Sequence, residues 1–151
     1  EDAEAGIDDI HLLDHYGVVD QVQELIRPYA VLPDGGNIIM QQTNALMAID
    51  VNTGQSKSKT KTNLEAAKEA ARQIRLRNIG GMILIDFIDC RSKAHRDAIL
   101  KVLKDACSDD PCRIDIHGFT GGGLMEISRG RRTAPLMQRL QIATAVHDAR
   151  G

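Results

Sequence analysis

The chain has no tryptophan, and only two Phe and two Tyr among its 151 residues. Single-strand binders that work by stacking need aromatic platforms, so this scarcity disfavours that class. Long apolar runs are missing as well. The longest, Ile79 to Ile85, contains two glycines and falls well short of the ~18 residues of a membrane span, so no membrane segment is expected. Cysteine is sparse and odd in number, with Cys90, Cys107 and Cys112. No pair has the two-residue gap of a zinc or redox motif, which points to reduced thiols in a cytoplasmic protein. The five histidines are scattered without an HExxH, so no zinc is expected. Glu1-Asp2-Ala3-Glu4 offers neither a basic start nor an apolar stretch, so no signal peptide is expected. Without an initiator Met the chain reads as an excised piece of a longer protein. Gly121-Gly122-Gly123 lacks a following GK[ST], which favours a flexible hairpin over a phosphate cradle.

What is present is ordinary in amount and uneven in placement. The length fits one domain, or one and a small piece of another, burying roughly 68–70% of the surface of the unfolded chain. Hydrophobic residues are 42% and charged residues 26%, values of a globular protein rather than a disordered one. Net charge is -2, yet residues 1–20 carry seven acidic groups and no Lys or Arg. From Lys57 to Arg77 the bias reverses, and Arg129, Arg131 and Arg132 form a second basic cluster. Near-neutral totals thus hide surface that suits a phosphate backbone, with plain solvated charge as the alternative.

The spacing of apolar residues predicts the elements. Tyr16 to Ile26 has helical spacing, ended by Pro28, and Leu32-Pro33-Asp34-Gly35-Gly36 is a turn. Asn37–Met40 and Leu46–Val51 read as paired strands, followed by a polar, mobile loop over Gln55–Thr62. Asn63 is expected to cap a helix running to about Arg77. Its inner stripe is Leu64, Ala67, Ala71 and Ile74, with Lys68, Arg72 and Arg75 on another face. Met82–Ile85 suggests a central buried strand. Ser92–Cys107 reads as a helix, Arg113–His117 and Leu124–Arg129 as strands, and Leu136–Val146 as a last helix. The order implies an α/β fold, a mixed sheet flanked by helices.

Three oxygen-bearing side chains fall at strand ends. Asp50 and Asn52 are two apart, so an extended segment projects them from one face. Asp86 follows the most apolar strand, where a carboxylate is costly unless paired or bound to a cation. Strand ends are where α/β sheets hold their sites, and such hard ligands suit Mg²⁺. An Asx turn at Asp50 and Asn52, and a helix-capping role for Asp86, remain open alternatives.

Four segments occur in one order: LPDGG (Leu32–Gly36), ALMAIDVNTG (Ala45–Gly54), TNLEAAKEAARQIRLRNIGGMILIDFID (Thr62–Asp89) and HGFTGGGLMEISRGR (His117–Arg131). Together they resemble the bacterial ribonuclease E/G family, from about His11 to Leu136. The resemblance implies a deoxyribonuclease-I-like catalytic subdomain over residues 31–151, preceded by the tail of a ribonuclease-H-like subdomain over residues 1–30. It implies an Mg²⁺-dependent endoribonuclease, with Mn²⁺ as a substitute. Such an enzyme cuts single-stranded, often A/U-rich RNA in RNA processing and mRNA decay, leaving 5′-phosphate and 3′-hydroxyl ends. The family's catalytic aspartates match Asp50 and Asp86, and its supporting asparagine matches Asn52, giving a metal set of Asp50, Asn52 and Asp86. Arg113 matches an arginine of the pocket that senses a 5′-monophosphate, and Asp89 is given a supporting role. Lys68, Arg72, Arg75, Arg129 and Arg131 are the candidate RNA contacts. The longer protein is expected to be a homodimer, and the family's CPxC zinc link is absent here. The alternative is a non-catalytic RNA-binding or assembly module that keeps the fold.

Overall fold

The computed structural model describes residues 15–131 and 133–141. In chain order the elements are α1 (Val18–Ile26), β1 (Tyr29–Val31), β2 (Asn37–Gln42), β3 (Leu46–Asn52), α2 (Lys59–Leu76), β4 (Gly81–Asp86), α3 (Lys93–Ala106), β5 (Ile114–Phe119) and β6 (Met125–Arg129). Residues 136–141 are also helical, and the rest of the helix expected there lies outside the described residues. The strands form one sheet in the order β1-β2-β3-β4-β6-β5. Every neighbouring pair is antiparallel except β3 and β4. A parallel pair cannot be closed by a hairpin, and α2 supplies the crossover.

Among the described residues, α2 and α3 pack on one face of the sheet and no helix covers the other. Ile38 and Met40 of β2, Ile49 and Val51 of β3, Ile83 and Ile85 of β4, and Met125 and Ile127 of β6 are all buried. Their neighbours in sequence alternate outward, as the period-two geometry of strands requires. β4 is therefore central, but buried on one side only. Met82, on the open face, is 45% exposed, because the run Met82–Ile85 meets helices on only one of its two sides.

Helix α2 lies close against the sheet through small residues. Ala66, Ala67 and Ala70 are completely buried, with Ala71 and Ile74 beside them, and Leu64 is half-buried at the edge of the stripe. The helix begins five residues earlier than its sequence suggests. Ser58 is its N-cap, the side-chain oxygen accepting from the Lys61 N–H at 3.3 Å, so Lys59–Thr62 is helix and not mobile loop. Asn63 is thereby moved into the helix interior, where its amide is free for another task. Ser92 caps α3 in the same way, accepting from the His95 N–H at 3.3 Å. The strand Tyr29–Val31 is absent from the sequence reading. Three residues ending just before a Pro-Asp-Gly-Gly turn carry no alternation long enough to recognise.

Candidate active site

Two turns lock together where β3 ends. Gly35, at φ 89°, and Gly54, at φ 50°, take left-handed conformations that glycine adopts without a Cβ penalty. The Gln55 N–H donates to the Gly35 carbonyl at 2.9 Å. A Cβ at Gly54 would lie 2.5 Å from that same oxygen. Asp34 holds the junction from below, accepting from the Thr62 hydroxyl at 2.6 Å and from the Gly36 N–H at 3.1 Å. Burial pushes the Asp34 carboxyl up, but hydrogen bonds from Thr62, Ser56 and Gly36 outweigh it and hold the group below its ordinary range.

This junction presents Asp50 and Asn52 from the end of β3 onto the open face. Asp50 is the register partner of Asp86 in the parallel ladder, so the two side chains leave adjacent strands, ~4.8 Å apart, on the same face. Both are exposed. The Asn52 amide donates to Asp50 Oδ2 at 3.1 Å, which leaves the Asn52 carbonyl oxygen available. Asp50, Asn52 and Asp86 are thus brought together. Ile39, Gln41, Ala48, Leu84 and Leu124 complete a groove of about 380 Å³ around the two carboxylates.

The segment after Asp86 is fixed by Asn63. Its side-chain amide donates to the Ile88 carbonyl at 2.8 Å, and its oxygen accepts from the Ile88 N–H at 2.9 Å. Arg96 adds a second tie. It donates to the Cys90 carbonyl at 2.6 Å and stacks its guanidinium 5.0 Å from the centre of the Phe119 ring. Asp89, at φ 42°, forms an ion pair with Lys59 and so stands beside the site. The Gly121–Gly123 turn closes the β5–β6 hairpin at this same end of the sheet, with Met125 opposite Ile85.

The basic residues divide by location. Lys68 and Arg72 pair with Glu65 and Glu69 one turn away, at 3.1 and 2.9 Å, and Arg75 faces Asp109. All three project from the helix that covers the opposite face of the sheet. Arg129 is not a surface contact at all. It is 3% exposed, donates to both Asp110 oxygens at 2.9 and 2.8 Å, and reaches Asn78 Oδ1 and the Ile79 carbonyl at 3.0 Å. Every guanidinium nitrogen is occupied, so the expectation that Arg129 meets RNA is corrected: it braces β6 against the start of β4. Burial pushes the Asp110 carboxyl up, yet the hydrogen bonds from Arg129 and the Cys112 N–H prevail and hold it low. Arg131 lays its stem on Gly80, and Arg113 is exposed and pairs with Asp115 at 3.0 Å. Both stand at the far end of the sheet, roughly 17 Å along the strands from Asp86.

The lysines that open the basic run lie at the aspartate end, where composition alone did not place them. Lys57, Lys61 and Arg91 are exposed there with Lys59, and the first turn of α2 holds no acid. Cations at a helix N-terminus oppose the dipole, costing typically 0.3–1 kcal/mol each. That local misfit, legible once the helix start is placed at Lys59, is the signal that marks them.

A sequence model of the Ribonuclease E/G family matches residues 3–132. The chain belongs to this family. It is 39% identical to Ribonuclease G of Haemophilus influenzae over 127 residues, 80% of this chain and 26% of that protein. It is 39% identical to Ribonuclease E of Escherichia coli over 135 residues, 85% of this chain and 13% of that protein. The chain thus spans about a quarter or less of the family relatives it matches.

The donor set is compatible with a divalent cation. Two carboxylates side by side on adjacent strands repel, and among the described residues neither has a cationic partner. No group of three His, Cys, Asp or Glu side chains suited to a metal occurs among the described residues. Two carboxylates and an amide oxygen correspond to the few protein ligands that Mg²⁺ takes while keeping its waters.

Proposed function

We propose that this chain is the catalytic portion of an endoribonuclease that hydrolyses single-stranded, A/U-rich RNA to 5′-phosphate and 3′-hydroxyl ends. The observation that carries the reading is the register pairing of Asp50 with Asp86 on the uncovered face of the sheet, in a chain of the Ribonuclease E/G family. Asp50, Asp86 and the Asn52 carbonyl oxygen would hold Mg²⁺, or Mn²⁺ in its place. When bound, such an ion supplies Lewis-acid charge stabilisation at a phosphoryl oxygen and eases the deprotonation of water.

The chain's own residues do the rest. Asn52 fixes the Asp50 carboxylate through its amide. Asn63 and the Gly35–Gly54 junction hold the two strand ends in register. Lys57, Lys61 and Arg91 draw the phosphodiester backbone to that end and orient it. Water adds to the scissile phosphorus, the bond to the 3′ oxygen breaks, and the proton released ends on the 3′-hydroxyl or in solvent. Arg113, at the opposite end, is assigned to a 5′-phosphate several nucleotides away. The division into residues 1–30 and 31–151 and a dimeric, cytoplasmic full-length protein belong to the same proposal and rest on the family alone.

The test is single-turnover cleavage of a 5′-monophosphorylated A/U-rich RNA, with folding checked by circular dichroism. Asp50→Asn and Asp86→Asn each remove one charge. If that forfeits roughly 3–4 kcal/mol, the rate falls by about two to three orders of magnitude. Asn52→Ala should cost less, since an amide contributes only a dipole. A folded Asp86→Asn chain that cleaves at the wild-type rate refutes the assignment.

A further inference from the structure

We propose that Tyr29, with Ile39 beside it, is a stacking platform for a base of the RNA strand whose scissile phosphate lies at Asp50 and Asp86. The inference rests on the proposed function and adds a direction to it: phosphate over β3 and β4, base over β2 and β1. It starts from a row of register partners. Tyr29 pairs with Ile39, Ile39 with Asp50, and Asp50 with Asp86. Register partners share a face, so these four side chains cross the open side of the sheet in one line. The line is graded in chemistry, with two carboxylates at one end, then an aliphatic group, then a phenol ring at the sheet edge. A nucleotide is graded in the same way, from a charged phosphate to a flat base with apolar faces.

The spacing suits that match. Tyr29 is two strands from Asp50, roughly 10 Å, within reach of nucleotides flanking the scissile bond. Ile39 already lines the groove that holds both aspartates, so the apolar end is continuous with the site. Tyr29 is 43% exposed and Ile39 38%. β1 is an edge strand, and among the described residues no further strand covers the ring. The strand is nonetheless held in place, because the Met40 N–H donates to the Pro28 carbonyl at 2.7 Å and the Leu32 N–H to the Gly36 carbonyl at 2.8 Å. Other aromatics are unsuited. Phe87 is buried, Phe119 packs against Phe87 and Arg96, and Tyr16 sits before α1.

The absence of tryptophan makes the experiment direct, because tyrosine emission is unmasked. In a Tyr16→Phe chain, a short oligouridylate is titrated with Ca²⁺ in place of Mg²⁺ and its integrity is checked on a gel, so binding is read apart from cleavage. The oligouridylate should quench Tyr29 emission, whereas the same strand with abasic nucleotides should not. Tyr29→Ala should weaken binding about 5- to 150-fold, the worth of one stacked base, while Tyr29→Phe should bind within about twofold of the parent. Equal quenching by the abasic strand, or a folded Tyr29→Ala chain that binds like the parent, overturns the platform. If either happens while Asp50→Asn still abolishes cleavage, only the platform falls. Normal cleavage by both aspartate variants removes the proposed centre instead. No RNA binding by the parent chain in an NMR titration removes both.

Discussion

Asn63 offers the sharpest test of how this site is held. It is completely buried, and it spans two side-chain bonds to the backbone of Ile88, two residues beyond Asp86. Asn63→Ala removes both partners at once and leaves an N–H and a carbonyl without their bonds. An orphaned buried group costs ≈ 1–3 kcal/mol. Ile88 is only half-buried, so water recovers part of that loss, and roughly 2–4 kcal/mol is the expected destabilisation. For a chain of this size each kcal/mol shifts the melting temperature by ≈ 2–4 °C, which gives a fall of about 4–16 °C. A circular dichroism melt reads it directly. Asp86 is also released from its frame, and a misplacement of about 1 Å can cost 10²-fold in rate. Single-turnover cleavage well below the transition should therefore fall about ten- to a hundredfold, more than the folded fraction explains. Asn63→Asp should not rescue it, because a carboxylate cannot donate to the Ile88 carbonyl and places a charge in a dry site. A variant that melts within about 1 °C of wild type, against the expected shift, refutes the reasoning.

Arg129→Met should cost about 3–5 kcal/mol by leaving Asp110 buried and unpaired, measured by denaturant unfolding. Because the folded Asp110 carboxyl titrates below its ordinary value, its contribution is complete above about pH 4 and is lost as pH falls through the folded pKa. Asp110→Asn should accordingly flatten the acid limb of the stability–pH curve. Gly54→Ala forces a left-handed alanine against the Gly35 carbonyl, so roughly 2–5 kcal/mol of stability should disappear. Lys57→Ala and Lys61→Ala should each lower the slope of log K against log salt for single-stranded RNA by about 0.7, whereas a Lys68→Ala/Arg72→Ala pair should leave it unchanged. Burial pushes the Cys107 thiol up to about 11, so at pH 8 a thiol reagent should label half-exposed Cys112 long before Cys107.

The sequence was most legible where pattern and geometry share a period. The strands Asn37–Gln42 and Leu46–Asn52, the apolar run ending at Asp86, and the helices capped by Ser58 and Ser92 all lie close to where alternation and stripe place them. Two-residue spacing was enough to set Asp50 and Asn52 on one face, and the strand-end position of Asp86 agrees with its place beside Asp50 in the parallel register. What failed was local competition. Two good caps, Ser58 and Asn63, stood near one helix start, and burial of Asn63 against Ile88 decided between them. Arg129 and Arg131 look alike in sequence and share a parity, yet β6 ends at Arg129, which turns inward to Asp110, while Arg131 lies beyond the strand against Gly80. The run from Lys57 to Arg77 reads as one basic stretch, but it begins at the aspartate end and then passes behind the sheet. Which lysines face the groove is a matter of topology that composition does not carry.

The single parallel pairing in an otherwise antiparallel sheet governs when the carboxylate pair comes into existence. β2 can zip onto β3 as a local hairpin while synthesis proceeds, but β4 reaches its place only after the whole of α2 has been made and folded back. Asp50 is therefore laid down early and waits, with no neighbour of like charge. The repulsion between the two aspartates is met only when β4 docks beside β3. Any cation that relieves it favours the docked state over the open one. Divalent ions should consequently slow the unfolding of β4 from β3 and do little to the β2–β3 hairpin, and a nascent chain should acquire affinity for them only once Asp86 has cleared the ribosome.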